Sequence, residues 1–390
     1  MKSTAPGLPR TIVSLGLVSL LTDFSSEMIY PLLPLFLSSV LGAGALVLGF
    51  IEGVAESTAS LLKALSGIWT DRCRRRKPFL WFGYGLAGLV RPGIALASSW
   101  PFVMAIRFLD RVGKGVRTSP RDALIADAVD PALRGRAYGF HRSMDHAGAV
   151  IGPLVAAALL SADLSLRTVF LLSAIPAVAV MVVLGAGVRE SPARPHAPAR
   201  RLALAGNWQN LGSGFRRLLL ALLLFTLGNS SDAFLLLRLS GAGIPAASLA
   251  GLWSLHHGVK MVSSYAGGRL SDTTGRRGVI VAGWLVYALI YAAFAAVQTR
   301  WGLVALFVTY GVCFGLTEPA EKAWVADIVP ERLRGTAFGY YNCVVGLGAL
   351  PASILFGWIW QIWGAPASFL TGAAFALAAT VALLAIKNEG

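Results

Sequence analysis

Charged side chains recur at helical spacing inside stretches that are otherwise apolar. Asp23 and Glu27 stand four residues apart, and Glu52 and Glu56 repeat that spacing in the next apolar stretch. Residues four apart lie on one face of a helix, so each pair presents two carboxyl groups to the same neighbour. Burial raises the pKa of a carboxyl group and a nearby cation lowers it, so such a group is suited to bind and release a proton. We expect Asp23 and Glu27 to exchange protons, with Glu52 and Glu56 as the next candidates.

Cations and further acids follow in later apolar stretches. Arg111 and Lys114 stand three residues apart, and Asp232 and Glu318 lie in the second half of the chain. Arginine makes two-pronged contacts with carboxylate and phosphate groups, which suits Arg111 and Lys114 to an anionic ligand. The alternative is that nearby acids pair with these cations across helices, because an unpaired charge in an apolar medium costs several kcal/mol.

The composition indicates that the stretches carrying these charges lie in a lipid bilayer. Of 390 residues, 56% are hydrophobic and only 14% are charged, and the mean hydropathy is +0.66. A soluble domain carries roughly 25% charged residues, so the apolar excess must face a bilayer. Twelve stretches approach the roughly 20 mostly apolar residues that a membrane-crossing helix needs. They are approximately 11–39, 46–70, 78–98, 100–128, 136–160, 167–188, 217–240, 246–270, 278–298, 301–327, 336–361 and 366–386.

Loop charges predict the orientation of the chain. The connections after even-numbered stretches are basic, namely 71–77, 130–136, 272–278 and 330–335, whereas those after odd-numbered stretches are nearly uncharged. Lysine and arginine collect in cytoplasmic loops, so we expect a multi-pass protein of the inner (cytoplasmic) membrane with both termini in the cytoplasm. Topology then explains the net charge of +15, and no nucleic acid is expected as a partner. Three cysteines without paired or metal-ligand spacing predict no metal site, and the sequence implies no cofactor.

An internal repeat divides the chain into two halves. Residues 126–140 match residues 326–340 without gaps, and residues 67–76 align with 268–277. An even number of crossings in each half gives two parallel six-helix bundles related by an axis along the membrane normal. We therefore predict an all-α integral membrane protein of twelve transmembrane helices. Its expected parts are an N-terminal bundle (1–188), a cytoplasmic linker (189–216) and a C-terminal bundle (217–390).

The repeated basic loop resembles a signature of the major facilitator superfamily, G-x-L-x-D-R-x-G-R-R/K between the second and third helices. Trp69, Arg74 and Thr273 depart from that signature. The matching residues are Gly67, Asp71, Arg72, Arg75 and Arg76 in the first copy, and Gly268, Asp272 and Arg276 in the second. The resemblance covers nearly the whole chain and implies the twelve-helix fold of that superfamily and secondary transport. It also implies that these loops gate the cytoplasmic side, where a carboxylate such as Asp71 can cap the N-terminus of a neighbouring helix.

A second motif lies in the fifth apolar stretch. Residues 148–156 read GAVIGPLVA, which is similar to the antiporter motif of the superfamily, G-x-x-x-G-P-x-x-G. Gly148, Gly152 and Pro153 match, and Ala156 replaces the last glycine. Small residues four apart let helices approach closely, and proline bends a helix. The resemblance to drug–proton and metabolite–proton antiporters implies export, and close helix packing alone is the alternative explanation.

Together these features predict a secondary transporter, not an enzyme, that moves a small molecule by alternating access, with proton-coupled export as the leading hypothesis. A monomer in the lipid bilayer is expected. In the superfamily, the first, fourth, seventh and tenth helices line the central cavity. The resemblance therefore places there Asp23, Glu27, Arg111, Lys114, Asp232 and Glu318. One alternative is an importer or exchanger of organic anions that uses Arg111 and Lys114. The alternative of another class is a nontransporting sensor or a membrane enzyme, and the sequence carries no G-x-S-x-G, H-E-x-x-H or P-loop signature for the latter.

Overall fold

The computed structural model describes residues 7–43, 45–73, 75–190, 208, 210–244 and 246–386, and every regular element in those ranges is a helix. We number the main helices α1 to α12. The first ten are α1 Arg10–Glu27, α2 Ala45–Cys73, α3 Lys77–Val90, α4 Trp100–Asp127, α5 Arg134–Ser161, α6 Ala174–Gly187, α7 Gly212–Gly228, α8 Ala246–Thr274, α9 Arg276–Ala296 and α10 Arg300–Ile328. The last helical stretch, Arg334–Leu384, is broken at Gly364, whose φ of 83° is not helical. We call its parts α11 (334–363) and α12 (365–384).

Short helical segments extend several spans. Tyr30–Leu32, Leu33–Leu35 and Phe36–Val40 continue α1, and Arg91–Leu96 continues α3. Proline stands at the first or second position of three of these four segments. Proline lacks a backbone N–H and cannot continue the hydrogen-bond ladder of an α-helix, which accounts for the breaks. Leu166–Leu172 precedes α6, and Ala233–Gly241 follows α7.

Hydropathy alone identifies only part of this architecture. Within the described ranges, seven helices are long and apolar enough to cross a membrane, and the last of them contains both α11 and α12. Helix α4 is not among them, because it carries Arg107, Asp110, Arg111, Lys114 and Arg117 within its first eighteen residues. Ionisable residues are tolerated in a span where they face the bundle interior or a cavity, and α4 is such a helix.

The four basic loops meet at one end of the molecule, which we call the basic end (71–77, 130–136, 272–278 and 330–335). The start of α1 lies there too, because Thr11 Oγ1 donates to the carbonyl of Arg189 just after α6 (3.3 Å). The end of α12 joins them, because Arg277 Nη1 donates to the carbonyl of Ile386 (3.0 Å). An even number of crossings in each half requires this arrangement. Residues 191–207 and 209 lie outside the described ranges, so the linker over 189–216 stays a prediction.

The most extensive packing between the halves, among the described residues, is that of α2 with α11 and of α5 with α8, and each of these pairs crosses at glycines. A Cβ atom on Gly67 would collide with the carbonyl oxygen of Gly335. At the equivalent place, a Cβ atom on Gly268 would collide with the carbonyl oxygen of Gly135. Only residues without a side chain let two backbones approach this closely. The glycines predicted from the loop motif therefore stand at the two crossing points between the halves.

Candidate functional site

A cluster of acids and arginines lies at the basic end between α2, α4 and α11. Asp71 accepts hydrogen bonds from the backbone N–H groups of Gly335 (2.9 Å) and Thr336 (2.6 Å). These N–H groups belong to the first turn of α11, where the helix leaves its donors unsatisfied and favours a negative charge. Arg76 Nε contacts Asp127 Oδ2 (2.8 Å), and Arg334 Nη1 contacts Asp127 Oδ1 (2.5 Å). We call Asp71, Arg76, Asp127 and Arg334 the first cluster.

The second cluster repeats this arrangement between α8, α10 and α5. Asp272 accepts from the backbone N–H groups of Gly135 (2.8 Å) and Arg136 (2.7 Å) in the first turn of α5. Arg276 pairs with Asp272 and, through Nε, with Asp327 Oδ2 (3.0 Å). Arg134 Nη1 contacts Asp327 Oδ1 (2.5 Å). Asp272, Arg276, Asp327 and Arg134 form the second cluster, and each cluster draws residues from both halves of the chain.

The clusters contain part of the motif that the sequence singles out, and other residues besides. Asp71, Arg76, Asp272 and Arg276 belong to them, whereas the side chains of Arg72 and Arg75 are exposed at the end of α2. The sequence reasoning did not assign a site role to the aspartates and arginines of the segments 126–140 and 326–340. The signal was present, since Asp127 and Arg134 in the first copy of the repeat match Asp327 and Arg334 in the second.

Between the halves lies a central cavity of about 410 Å³. Four of the predicted cavity residues line it: Asp23 on α1, Lys114 on α4, Asp232 just after α7 and Glu318 on α10. Asp232 accepts a hydrogen bond from Tyr310 Oη (3.1 Å) and lies 3.5 Å from Lys260 Nζ. The cavity therefore combines charged groups of both signs with residues from both halves.

Helix α5 holds the acidic face of α1 through the glycines of the GAVIGPLVA segment. A Cβ atom on Gly148 would lie 3.0 Å from Asp23 Cβ and 2.8 Å from the backbone nitrogen of Phe24. A Cβ atom on Gly152 would lie 2.7 Å from Glu27 Cβ. The two glycines thus let the backbones of α1 and α5 touch beside the two carboxylates. Their spacing fixes where Asp23 stands relative to the cavity.

A row of ion pairs crosses the cavity from one half to the other. Arg142 on α5 contacts Asp145 of its own helix (3.0 Å) and Glu318 on α10 (2.7 Å). Lys322 contacts Glu318 (3.3 Å) and Asp122 on α4 (3.4 Å). We call Asp145, Arg142, Glu318, Lys322 and Asp122 the ion-pair row. It joins the halves twice, so the halves cannot separate at this level without breaking both contacts.

Other predicted site residues do not line the cavity. Arg111 does not line the cavity, because its guanidinium is turned towards the ring of Tyr30, 5.5 Å from the ring centroid. Glu56 is exposed and lies 3.9 Å from Lys63. Glu27 is half-buried one turn beyond Asp23 and is also absent from the lining. The side chain of Glu52 lies outside the described part of the structure. Placement on a cavity-lining helix is therefore not sufficient, because depth along the helix also decides access.

One buried cation was not predicted from the sequence. Arg91, at the end of α3, places Nη2 2.8 Å from Asp110 Oδ1, and Tyr30 Oη donates to Asp110 Oδ2 (2.5 Å). Asp110 is thereby compensated inside the N-terminal bundle and does not line the cavity. The available signal was an arginine within the third apolar stretch, directly before Pro92.

A family model described as Major Facilitator Superfamily matches residues 15–259 and 242–389. The chain belongs to the Major Facilitator Superfamily. An uncharacterized MFS-type transporter of Methanocaldococcus jannaschii is 32% identical over 390 residues, which cover 97% of this chain and 95% of that one. The multidrug resistance protein MdtH of an Enterobacter species is 26% identical over 347 residues, 85% of this chain and 82% of that one. The crystal structure of the human organic anion transporter MFSD10 superposes with a TM-score of 0.81 at 18% identity, over 96% of this chain and 99% of that one.

Membership of the superfamily confirms two predictions. The chain has the twelve-helix fold of two parallel bundles, and it is a membrane transporter rather than an enzyme. The repeated clusters are then two copies of one arrangement, placed at equivalent positions of the two bundles. A central cavity between parallel bundles is where the substrate sites of such transporters lie.

Proposed function

We propose that this superfamily member exports a small molecule from the cytoplasm in exchange for protons. The observation that carries the proposal is Asp23, a carboxylate that lines the cavity and has no ion pair or side-chain hydrogen bond with any described residue. Every other acid of the cavity is compensated by a cation or by hydrogen-bond donors. A carboxylate without a fixed partner is free to take up a proton or a ligand as access alternates.

In this proposal the two clusters are the cytoplasmic gate, and the basic end faces the cytoplasm. Arginine-rich loops favour that orientation. With both clusters formed, the cytoplasmic side is closed and the cavity is reached from the opposite side. Rocking of the bundles separates Asp71 from α11 and Asp272 from α5 and opens the other access.

Protons drive the cycle through Asp23, with Glu27 one turn away. A proton taken up from outside neutralises the carboxylate, which weakens its attraction for a substrate and favours release. Loss of that proton to the cytoplasm restores the charge for the next substrate. The GAVIGPLVA segment, which packs at both carboxylates, supports export through its similarity to the antiporter motif, as does the 26% identity with a multidrug resistance protein.

The test is substrate-induced loss of a proton gradient in everted membrane vesicles. Vesicles are acidified inside, and a fluorescent dye reports the gradient while a panel of metabolites and drugs is added. We expect at least one compound to collapse the gradient in vesicles that contain the protein, and Asp23→Asn to abolish that response. The matched control is Asp163→Asn, at an exposed position at the opposite end of the bundle. A gradient that no compound alters, or an Asp23→Asn variant that responds fully, contradicts proton-coupled export.

A carrier of organic anions is the second candidate, and it rests on one side chain. Lys114 lines the cavity without a carboxylate within 4 Å among the described residues, so an anion can reach it. Arg111, the other cation predicted for this role, does not line the cavity. Charge reversal at Lys114 should then abolish the binding of anions and spare neutral compounds.

A further inference from the structure

The charges that line the central cavity are almost all compensated. Seven lysine and arginine side chains and five acidic side chains line it, together with His146. The ion-pair row accounts for Arg142, Lys322, Glu318 and Asp145. These charges neutralise one another within the row, and a charged ligand would have to break existing ion pairs to bind there.

Three more cations have carboxylate partners. Lys260 lies 3.5 Å from Asp232 on the C-terminal side of the cavity. On the N-terminal side, Arg121 Nη2 lies 2.8 Å from Asp122, and Lys63 lies 3.9 Å from Glu56. Each of these cations is therefore held by a group of the protein itself.

Two charged groups are satisfied without an ion pair. Arg117 donates to the carbonyl of Gly83 (3.2 Å), and its guanidinium lies 4.4 Å from the centroid of the Tyr84 ring. Glu321 accepts from Trp284 Nε1 (3.3 Å) and from Tyr341 Oη (2.9 Å). Both groups have polar or aromatic contacts that stabilise their charge in place.

Asp23 and Lys114 remain. Neither side chain makes an ion pair or a hydrogen bond through its charged atoms with any residue in the part of the chain that the structure describes. They have opposite signs and reach one cavity from different helices, α1 and α4. Apolar side chains of the C-terminal half, among them Leu222, Phe225 and Phe314, line the same space.

We propose that the cavity binds a zwitterion of the amino acid type, with its ammonium group on Asp23, its carboxylate on Lys114 and its apolar side chain against Phe225 and Phe314. The proposal rests on the proposed function and names its substrate class. It also explains the exchange with protons, because a proton and a substrate ammonium group compete for the same carboxylate. A ligand with only one of the two charges leaves the other protein charge unpaired, which is costly at this depth.

The test measures equilibrium binding to the purified full-length protein by calorimetry, with no proton gradient. The probes are the apolar L-amino acids, each with its methyl ester, which lacks the negative charge, and its N-acetyl derivative, which lacks the positive charge. We expect at least one amino acid to bind at least about tenfold more tightly than either of its derivatives, since each derivative loses one charge-assisted contact.

Two variants assign the charges. Asp23→Asn should weaken binding of the amino acid, so that the amino acid no longer binds more tightly than its N-acetyl derivative. Lys114→Gln should weaken binding of the amino acid until it binds no more tightly than its methyl ester. The exposed-site variant Asp163→Asn should bind as the unaltered protein does, and size-exclusion profiles check that all variants are folded.

Binding of no amino acid, or equal binding of the derivatives, overturns the zwitterion proposal, and preference for the N-acetyl derivative points instead to an organic-anion carrier. The outcome of this binding experiment does not depend on the outcome of the gradient assay. A protein that binds zwitterions but fails to exchange them for protons retains this inference and refutes the coupling.

Discussion

Replacing Asp71 by asparagine should shift the transporter towards the state that is open at the basic end. The Asp71 carboxylate accepts two backbone N–H groups of α11, at 2.9 and 2.6 Å, and these bonds exist only while α2 and α11 are together. A hydrogen bond to a charged group contributes about 1.5–3 kcal/mol. Asparagine keeps one uncharged acceptor and turns an NH₂ group towards the second donor. We expect the closed state to lose about 2–4 kcal/mol, or about 30- to 1000-fold in the equilibrium between closed and open.

Pulsed electron paramagnetic resonance between two spin labels measures this shift. One label is attached to the native Cys73 at the end of α2, and the other to Arg332→Cys just before α11, both at exposed positions. Cys313 and Cys343 are replaced by serine. The parent should show mainly the short distance of the closed basic end, and Asp71→Asn should add a longer one.

The repeat provides matched controls for this experiment. Asp272 makes the same two contacts with the first turn of α5, so Asp272→Asn should increase the population of the longer distance to a similar extent. The exposed Asp163→Asn should leave the distances as they are in the parent. If the distance distribution of Asp71→Asn equals that of the parent, the contact does not hold the closed state together and the reasoning is refuted.

Three further predictions concern packing, the ion-pair row and sidedness. Gly335→Ala places a Cβ atom 2.7 Å from the carbonyl oxygen of Gly67, so it should lower the thermal stability of the closed conformer, by about 1–3 kcal/mol as for other overpacked sites. Arg142→Gln removes the cation between Asp145 and Glu318, a loss of about 1.5–3 kcal/mol for hydrogen bonds to charged groups that are partly exposed. Lys322 still contacts Glu318, so Asp145 is the acid left without its cation, and the added change Asp145→Asn should restore part of the thermal stability. A membrane-impermeant maleimide should label Cys73 in everted vesicles and not in intact cells, because the basic end is proposed to face the cytoplasm.

Each of these predictions has an outcome that contradicts it. If Gly335→Ala unfolds at the same temperature as the parent, the crossing of α2 with α11 tolerates a side chain. A double variant no more stable than Arg142→Gln shows that the acid left unpaired was not the cause of the loss. Labelling of Cys73 from outside intact cells reverses the proposed orientation, and Cys73→Ser establishes that the label reports this residue.

Hydropathy, loop charge and the internal repeat were sufficient to predict the fold. A bilayer imposes a similar length and polarity on every span, so the spans can be recognised from short stretches of sequence. The site was predicted only in part. Of the six residues expected at the cavity, Asp23, Lys114, Asp232 and Glu318 line it, whereas Arg111 and Glu27 do not. Helical spacing shows which residues share a face, but it does not show how each helix is rotated or how deep each side chain lies.

What the sequence determined by itself was therefore the membrane environment, the two-fold repeated bundle and the motif that joins α2 to α3. What only the tertiary structure decided was the pairing of charges. Arg142 pairs with Glu318 in the other half, Asp71 binds the first turn of α11, and Asp23 and Lys114 have no ion pair among the described residues. The physical reason is that an ion pair depends on the distance between two atoms on different helices. That distance follows from how all twelve helices pack, and no local pattern of the chain encodes it.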